Sequence, residues 1–381
     1  MNNIGIIGVG KLGVCLALTL ENVGYNVLCY DINESILDSI KNKSLVSYEP
    51  KVTQMLLNSK NINVTNNLED ILKLNTVFIL VATPSKKDGS YDHFAIDSLI
   101  DNILKLSSVQ TKHLVIVSTV MPKYTDYVQE KLNNLNINVS YNPEFIAQGS
   151  IIHDTTYPDM ILIGERDKDS GDIIENIYMK IIRNTPTICR MTPLEAEITK
   201  ISLNCFLTTK IAFANSVGDL ALSQNCNPSN ILNAIGSDSR IGKKYLKYGF
   251  GFGGPCLPRD NRAYNFFADI TNCKNIIGES VDKANTIHSD YVFNYIKNIL
   301  EKTNKSALFT QVSFKVNSSL LVESQQLQLA LKLSDCGVNV YVNETDYIKE
   351  QVNLEYKDNK LIFINNVNNI NNYIDIIKFL Q

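Results

Sequence analysis

Apolar residues in the first half of the chain fall in short dense runs, each closed by glycine or by small polar residues and a proline. "IGIIGVG" opens the series, and "NVLCYD", "NTVFILVATP", "HLVIVSTVMP", "INVSYNPEF" and "DMILIG" continue it. Runs of this length, apolar at nearly every position, suit strands buried on both faces of a parallel sheet. Between the first two lies a helical pattern with Leu12, Cys15, Leu16, Leu18 and Leu20, closed by Gly24. The alternation predicts an α/β fold with a Rossmann-like doubly wound parallel sheet over roughly the first 190 residues.

From Thr192 the pattern changes. "TPLEAEITKISLNCFLTTKIAFANSVGDLALSQN" has apolar positions at helical spacing and no proline after its start. It predicts one long helix, opened by a Thr-Pro pair and a Glu-rich first turn. Further helical segments follow, interrupted by "GFGFGGPCLPRD". Near Ser306 a strand–helix–strand pattern returns in "SALFTQVSF", "ESQQLQLALKLSDCG" and "VNVYVNETD". Three parts are expected: a dinucleotide-binding domain over 1–191, a helical centre over 192–295, and a smaller C-terminal Rossmann-like α/β domain over 296–381.

Composition narrows the function classes. The 381 residues carry a formal net charge of −3 with no basic run, which argues against nucleic acid as a partner. The N-terminus lacks a positive segment and a cleavage-like site, and no apolar run approaches a membrane span, so a cytoplasmic protein is expected. Cys15, Cys29, Cys189, Cys205, Cys226, Cys256, Cys273 and Cys336 form no CxxC pair, which points to reduced thiols. His93, His113, His153 and His288 stand at no metal-ligand spacing, and no metal is expected.

Gly8, Gly10 and Gly13 form G-x-G-x-x-G directly after a strand and at the start of a helix. The first glycine serves the tight turn, the second lets a pyrophosphate approach the backbone, and the third lets helix and sheet touch. The phosphates would then meet the N–H groups of the helix N-terminus. Asp31 ends the next strand, 18 residues past Gly13, where an acid binds ribose hydroxyls and disfavours a 2′-phosphate. The set predicts NAD as cofactor. Cys256 is surrounded by glycines and prolines and precedes a predicted helix, a setting that stabilises a thiolate; Arg259 and Arg262 add positive potential. A structural thiol in a tight loop is the alternative. Lys200 and Asn204, one helical turn apart, interrupt an apolar pattern on one face of the long helix, although a lysine there can also snorkel to solvent. Glu144 and the Ser118–Thr119 pair lie at strand ends, where α/β sites gather; an exposed acid and simple helix-capping hydroxyls are the plain alternatives.

"GVGKLG", "VATP", "STVMP", "YNPEF", "TKISLN", "DSRIG" and above all "GFGFGGPCLPRD" occur in this order over residues 1 to 265. Together they resemble the UDP-glucose/GDP-mannose dehydrogenase family, and the C-terminal segment matches that family's third domain more weakly. The resemblance implies an NAD-dependent four-electron oxidation of a nucleotide-sugar primary alcohol to the uronic acid, through a cysteine thiohemiacetal and thioester. It assigns Cys256 as nucleophile, Lys200 and Asn204 as oxyanion stabilisers, and Glu144 as the acid/base of thioester hydrolysis. Thr119 would help order water, and Asp260 would support proton transfer near the thiol. Cofactor contacts are implied at Gly8, Gly10, Lys11, Leu12, Gly13, Asp31, Thr83, Pro84, Ser118, Thr119 and Gln148. Sugar-nucleotide contacts are implied at Glu144, Phe145, Lys200, Asn204, Lys247, Tyr248, Gly249, Phe250, Gly251, Phe252 and Gly253, with Phe314 and Lys315 on the uridine side. The family's arginine at the position of Arg240 comes from the neighbouring subunit of a homodimer. Uronic acids of this kind feed capsule and other surface polysaccharides.

Three positions depart from the family pattern. Val322-Glu323-Ser324 stands where Arg-Glu-Ser is usual, Pro255 replaces a serine before the cysteine, and Gln148 replaces an acid. "NPEF" and the absence of a histidine before Cys256 resemble the UDP-glucose and GDP-mannose branches more than the N-acetylmannosamine branch; within those, the short third domain and "SFK" favour UDP-glucose, with an unusual sugar nucleotide as a further alternative. A two-electron hydroxyacid dehydrogenase would use the NAD domain and the lysine but need no cysteine. An inactive nucleotide-sugar sensor would keep the fold without turnover.

Overall fold

The computed structural model describes residues 3–273, 275–315, 320–367 and 370–380. Its contacts group the chain into two units, Met1–Lys200 and Ile201–Gln381. The first unit is built on strands β1 (Asn3–Ile7), β2 (Asn26–Tyr30), β3 (Ile62–Thr65), β4 (Thr76–Ile79), β5 (His113–Ile116), β6 (Asn138–Tyr141), β7 (Met160–Gly164) and β8 (Thr187–Met191). They form one sheet in the order β3-β2-β1-β4-β5-β6-β7-β8. The order reverses between β1 and β4, and in such sheets ligands bind at that switch point, beyond the carboxyl ends of the strands.

The period-2 geometry of strands explains why the runs are apolar throughout. Ile4, Ile6, Phe78 and Val115 join the core on one face of the sheet, with the helices Lys11–Asn22 and Lys168–Ile181. Ile7, Val77, Ile79, Leu114 and Ile116 join the core on the other, with the helices Phe94–Ile103 and Tyr124–Leu132. Both faces are covered, so neither set of alternate positions can be polar.

The expected doubly wound parallel sheet is present, with one antiparallel seam. β6 and β7 pair antiparallel, through Tyr141 and Gly164, while β7 and β8 are parallel to each other. The connection from β6 to β7 holds only the short helix Ile151–Thr156. A parallel partner would require a crossover running back along the whole strand; without one, the chain rejoins the sheet from the edge at which β6 ended.

The long helix is Pro193–Ser223, starting in the first unit and continuing into the second. The second unit adds helices Pro228–Ser237, Leu257–Ile270, Ile277–Thr303, Gln325–Asp335 and Asp346–Glu355. Its strands β9 (Ser306–Phe309), β10 (Val340–Val342), β11 (Ile362–Phe363) and β12 (Tyr373–Asp375) form a parallel sheet ordered β11-β10-β9-β12. Val292, Ile296, Leu327 and Leu333 pack on it from two helices. The run "SALFTQVSF" is a strand only to Phe309; beyond it, the Val312 and Ser313 N–H groups donate to Glu344 Oε1 at 2.9 and 3.2 Å. Among the described residues, no helix is long and apolar enough to cross a membrane.

Candidate active site

The expected cofactor residues come together at the switch point. Gly8 has φ +89°, and a Cβ there would lie 2.7 Å from the Leu80 carbonyl oxygen of the strand beside it. A Cβ at Gly13 would lie 2.0 Å from the Gly8 carbonyl oxygen, so helix and turn touch through this residue. At Gly10 nothing lies within 4 Å of the Cβ position, and its φ of −63° is open to any residue. No packing among the described residues demands glycine at that point; a ligand approaching the backbone would. Asp31 Oδ2 accepts from Val9 N at 2.9 Å, which fixes the carboxylate beside the glycine turn. The residues therefore fit a dinucleotide at this end of the sheet.

The neighbouring strand ends are pinned to one another. Thr83 Oγ1 donates to the Thr119 carbonyl at 2.7 Å, and Ser118 Oγ donates to that of Val81 at 2.6 Å. Asp92 N donates to the carbonyl of Pro84 at 2.7 Å. Met121 N donates to His93 Nε2 at 3.2 Å, and Lys123 N donates to Glu197 Oε2 at 2.7 Å. Burial lowers the His93 pKa to about 4, so the ring is neutral and keeps an acceptor for that bond. Lys11 Nζ reaches Gln148 Oε1 at 3.3 Å, while Leu12 is partly exposed at the turn.

Glu144 and Lys200 meet in the same unit. Lys200 is only 8% exposed, which disposes of the snorkelling alternative. Its ammonium donates to the Glu144 carbonyl at 2.6 Å and lies 4.3 Å from the centre of the Phe145 ring. Tyr178 OH donates to Glu144 Oε1 at 2.9 Å. Burial raises the Glu144 carboxyl above its ordinary range, against the opposing pull of Tyr178 and Lys200. Sequence reasoning missed Tyr178, because a tyrosine on the apolar face of a helix reads as core.

In the second unit Cys256 is exposed and is the N-cap of the helix Leu257–Ile270, with proline in the first turn. Cys15 and Cys29, by contrast, are buried, and burial pushes both of their thiols up to about 12. Asp260, four residues past Cys256 and buried, accepts from Asn204 Nδ2 at 2.6 Å and from Arg259 Nε at 3.1 Å. The loop before the cysteine is held through its backbone by side chains of two long helices. Asn215 accepts from Gly249 N at 3.1 Å and donates to the Phe250 carbonyl at 3.3 Å. Asn285 accepts from Phe252 N at 2.9 Å and donates to the Phe252 carbonyl at 3.0 Å. His288 Nε2 contacts the Gly249 carbonyl at 2.8 Å, while Nδ1 faces Asp219 at 2.9 Å. The Tyr248 hydroxyl also bonds Asp219, at 3.0 Å.

Three of the four glycines of this loop are explained by the protein itself. Cβ atoms at Gly251, Gly253 and Gly254 would fall 2.4, 2.2 and 2.6 Å from Asn285 Oδ1, the Glu323 carbonyl and the Phe314 ring. Glu323 also pairs with Arg262 through both oxygens, at 2.7 and 2.8 Å, so Val322 stands exposed on a segment fastened to the cysteine helix. Arg240 and Lys247 are exposed, and Arg240 pairs with its neighbour Asp238; Lys315 is exposed beyond Phe314. Asn215 and Asn285 escaped sequence reasoning, though each is an amide within an apolar helical pattern, the same signal that marked Asn204.

Two family models match the chain. The NAD-binding domain of the UDP-glucose/GDP-mannose dehydrogenase family matches residues 2–182, and the central domain of that family matches residues 194–286. A UDP-glucose 6-dehydrogenase of Rickettsia bellii is 31% identical, covering 89% of this chain and 80% of its own. A GDP-mannose 6-dehydrogenase of Pseudomonas aeruginosa is 29% identical, covering 94% and 85% respectively. The solved structure of a UDP-glucose dehydrogenase from Pyrobaculum islandicum superposes with a TM-score of 0.85 at 27% identity, over 96% of this chain and 86% of that one.

Proposed function

Because the chain belongs to the UDP-glucose/GDP-mannose dehydrogenase family and is an NAD-dependent nucleotide-sugar dehydrogenase, we propose that it oxidises UDP-glucose to UDP-glucuronate in two successive two-electron steps. The observation that carries this reading is Cys256, an exposed thiol at the N-terminus of a helix inside a loop whose backbone is fixed by Asn215, Asn285 and His288. A merely structural cysteine needs none of that arrangement, and a two-electron hydroxyacid dehydrogenase gives it no task.

NAD, when bound, accepts the hydride in each oxidation. Cys256 Sγ adds to the aldehyde carbon left by the first, and the carbonyl oxygen takes a proton to give the thiohemiacetal. Loss of that proton and of the second hydride leaves a thioester. Water then attacks the thioester carbon, Glu144 takes the proton of that water, and the thiolate departs as the acid is released. Lys200 and Asn204 steady the oxyanions. Lys200 donates to the Glu144 carbonyl and Asn204 to Asp260, bonds that hold the two donor groups in place. Asp260 receives protons near the thiol, and Thr119 helps order the water. In this reading residues 1–191 bind NAD, 192–295 form the central, dimerising part, and 296–381 bind the nucleotide.

The stoichiometry tests the proposal. With UDP-glucose limiting and NAD in excess, two NADH form per sugar, and Cys256→Ser abolishes acid formation while still binding UDP-glucose. One NADH per sugar, or undiminished acid formation by the serine variant, overturns it. Turnover of GDP-mannose alone, the substrate named for the Pseudomonas aeruginosa relative, keeps the chemistry and changes the sugar.

A further inference from the structure

We propose that Tyr178 is a positioning residue for acid release, holding one carboxylate oxygen of Glu144 so that the other is presented to water and the group works at lower pH. The inference rests on Glu144 being the base of the preceding reading. Two elements grip Glu144 at once. Tyr178, on the helix Lys168–Ile181 and only 4% exposed, donates its hydroxyl to Oε1 at 2.9 Å. Lys200, on the long helix, donates to the main-chain carbonyl of the same residue at 2.6 Å. With both ends fixed, the direction of Oε2 is fixed too.

Behind the pair lies a cavity lined by Asn142, Glu144, Asp154, Met160 and Tyr178. Asn142 is buried, and its Oδ1 has no hydrogen-bond partner among the described residues, while its Nδ2 donates to the Leu162 carbonyl at 2.9 Å. An orphaned acceptor on a polar cavity wall is a water position. The tyrosine hydroxyl stands between the carboxylate and this recess, as a donor. Burial and the adjacent carboxylate hold the phenol well above its ordinary range, so it remains a neutral donor whenever Glu144 is ionised.

The charged surroundings set the sign of the effect. Lys200 faces Glu144 from the long helix and favours its ionised form. Asp154 lines the same cavity, and Cys15 senses Glu144 from the helix Lys11–Asn22. Glu49 accepts from the Gly149 and Ile151 N–H groups further along the same loop. Tyr178 and Lys200 are the groups that favour the carboxylate, so removing the hydroxyl keeps Glu144 protonated to higher pH.

The test is Tyr178→Phe in the full chain. The carboxylic-acid band of Glu144 is followed in pH-difference infrared spectra and assigned by its loss in Glu144→Gln. We expect its midpoint to rise by about one pH unit, the worth of one hydrogen bond to a charged group. The acidic limb of kcat for acid formation should move with it, about tenfold slower below the limb, with KM for NAD and for UDP-glucose unchanged. If Tyr178→Phe does not fold, 3,5-difluorotyrosine at position 178, a stronger donor, should move the midpoint down. An unmoved midpoint in the folded variant overturns the inference. Full acid formation by Glu144→Gln overturns the base reading instead, and the infrared midpoint still decides what Tyr178 does.

Discussion

Gly10 and Gly13 stand three residues apart in one turn and are glycine for different reasons. Gly13 has the Gly8 carbonyl oxygen 2.0 Å from its Cβ position, whereas Gly10 has open space. Gly13→Ala should therefore cost about 1–3 kcal/mol of stability, as overpacking does, seen as a lower melting temperature in thermal unfolding without ligand. Gly10→Ala should melt with the parent yet raise KM for NAD roughly tenfold, a loss of about 1.4 kcal/mol of binding. Equal melting losses in both would mean that Gly10 serves the turn and not the cofactor. At this scale the sequence was most legible where chemistry acts through the backbone, because a turn that needs glycine writes it into the chain. It was least legible at Tyr178, Asn215 and Asn285, whose partners lie 34 or 35 residues away for all but one pair and 33 for the other. Their residue types suit a helix interior or surface equally well, and only the fold reveals what they hold.

Helices and strands carry a second kind of information. The helix Tyr124–Leu132 starts from Lys123 at φ +78° and has no side-chain cap of its own. Glu197, buried in the first turns of the long helix, supplies one by accepting from Lys123 N, Thr125 N and Thr125 Oγ1 at 2.7, 2.8 and 2.6 Å. Burial outweighs these bonds and raises its pKa from 4.5 to about 7. Between those values the unfolded chain has released the proton and the folded chain has not. Stability contributed by this group is thus complete below pH 4.5 and is lost as pH rises through about 7. The loss amounts to roughly 3 kcal/mol at 1.36 kcal/mol per unit. Glu197→Gln should flatten the fall in melting temperature over that range; an unchanged slope would exclude Glu197 as its source. The strand series and the long helix were readable from periodicity, since burial on two faces and on one face leave different patterns. The reversed direction of β7 was not, because an apolar strand looks the same from either end and only the short connection after β6 sets its sense.

For the molecule as a whole, Phe206, Phe213 and Leu220 recur every seven residues along the long helix and are 63%, 49% and 66% exposed. Side chains at that spacing share one helix face. We propose that a second copy of the chain covers it in a homodimer, the state in which Arg240 would serve the neighbouring site. Phe213→Asp should halve the mass measured by sedimentation velocity and depress turnover, whereas a monomeric parent would refute the dimer. The three-part division expected from the sequence followed changes of texture, and texture records what each segment must bury, not which segments associate. The seam between β6 and β7 has a further consequence. Every parallel neighbour of β1 through β6 lies within the first 141 residues, and the later strands join through a single residue pair, Tyr141 with Gly164. As the polypeptide leaves the ribosome N-terminus first, this six-stranded block can be zipped up strand by strand while the segment bearing Cys256 is still untranslated.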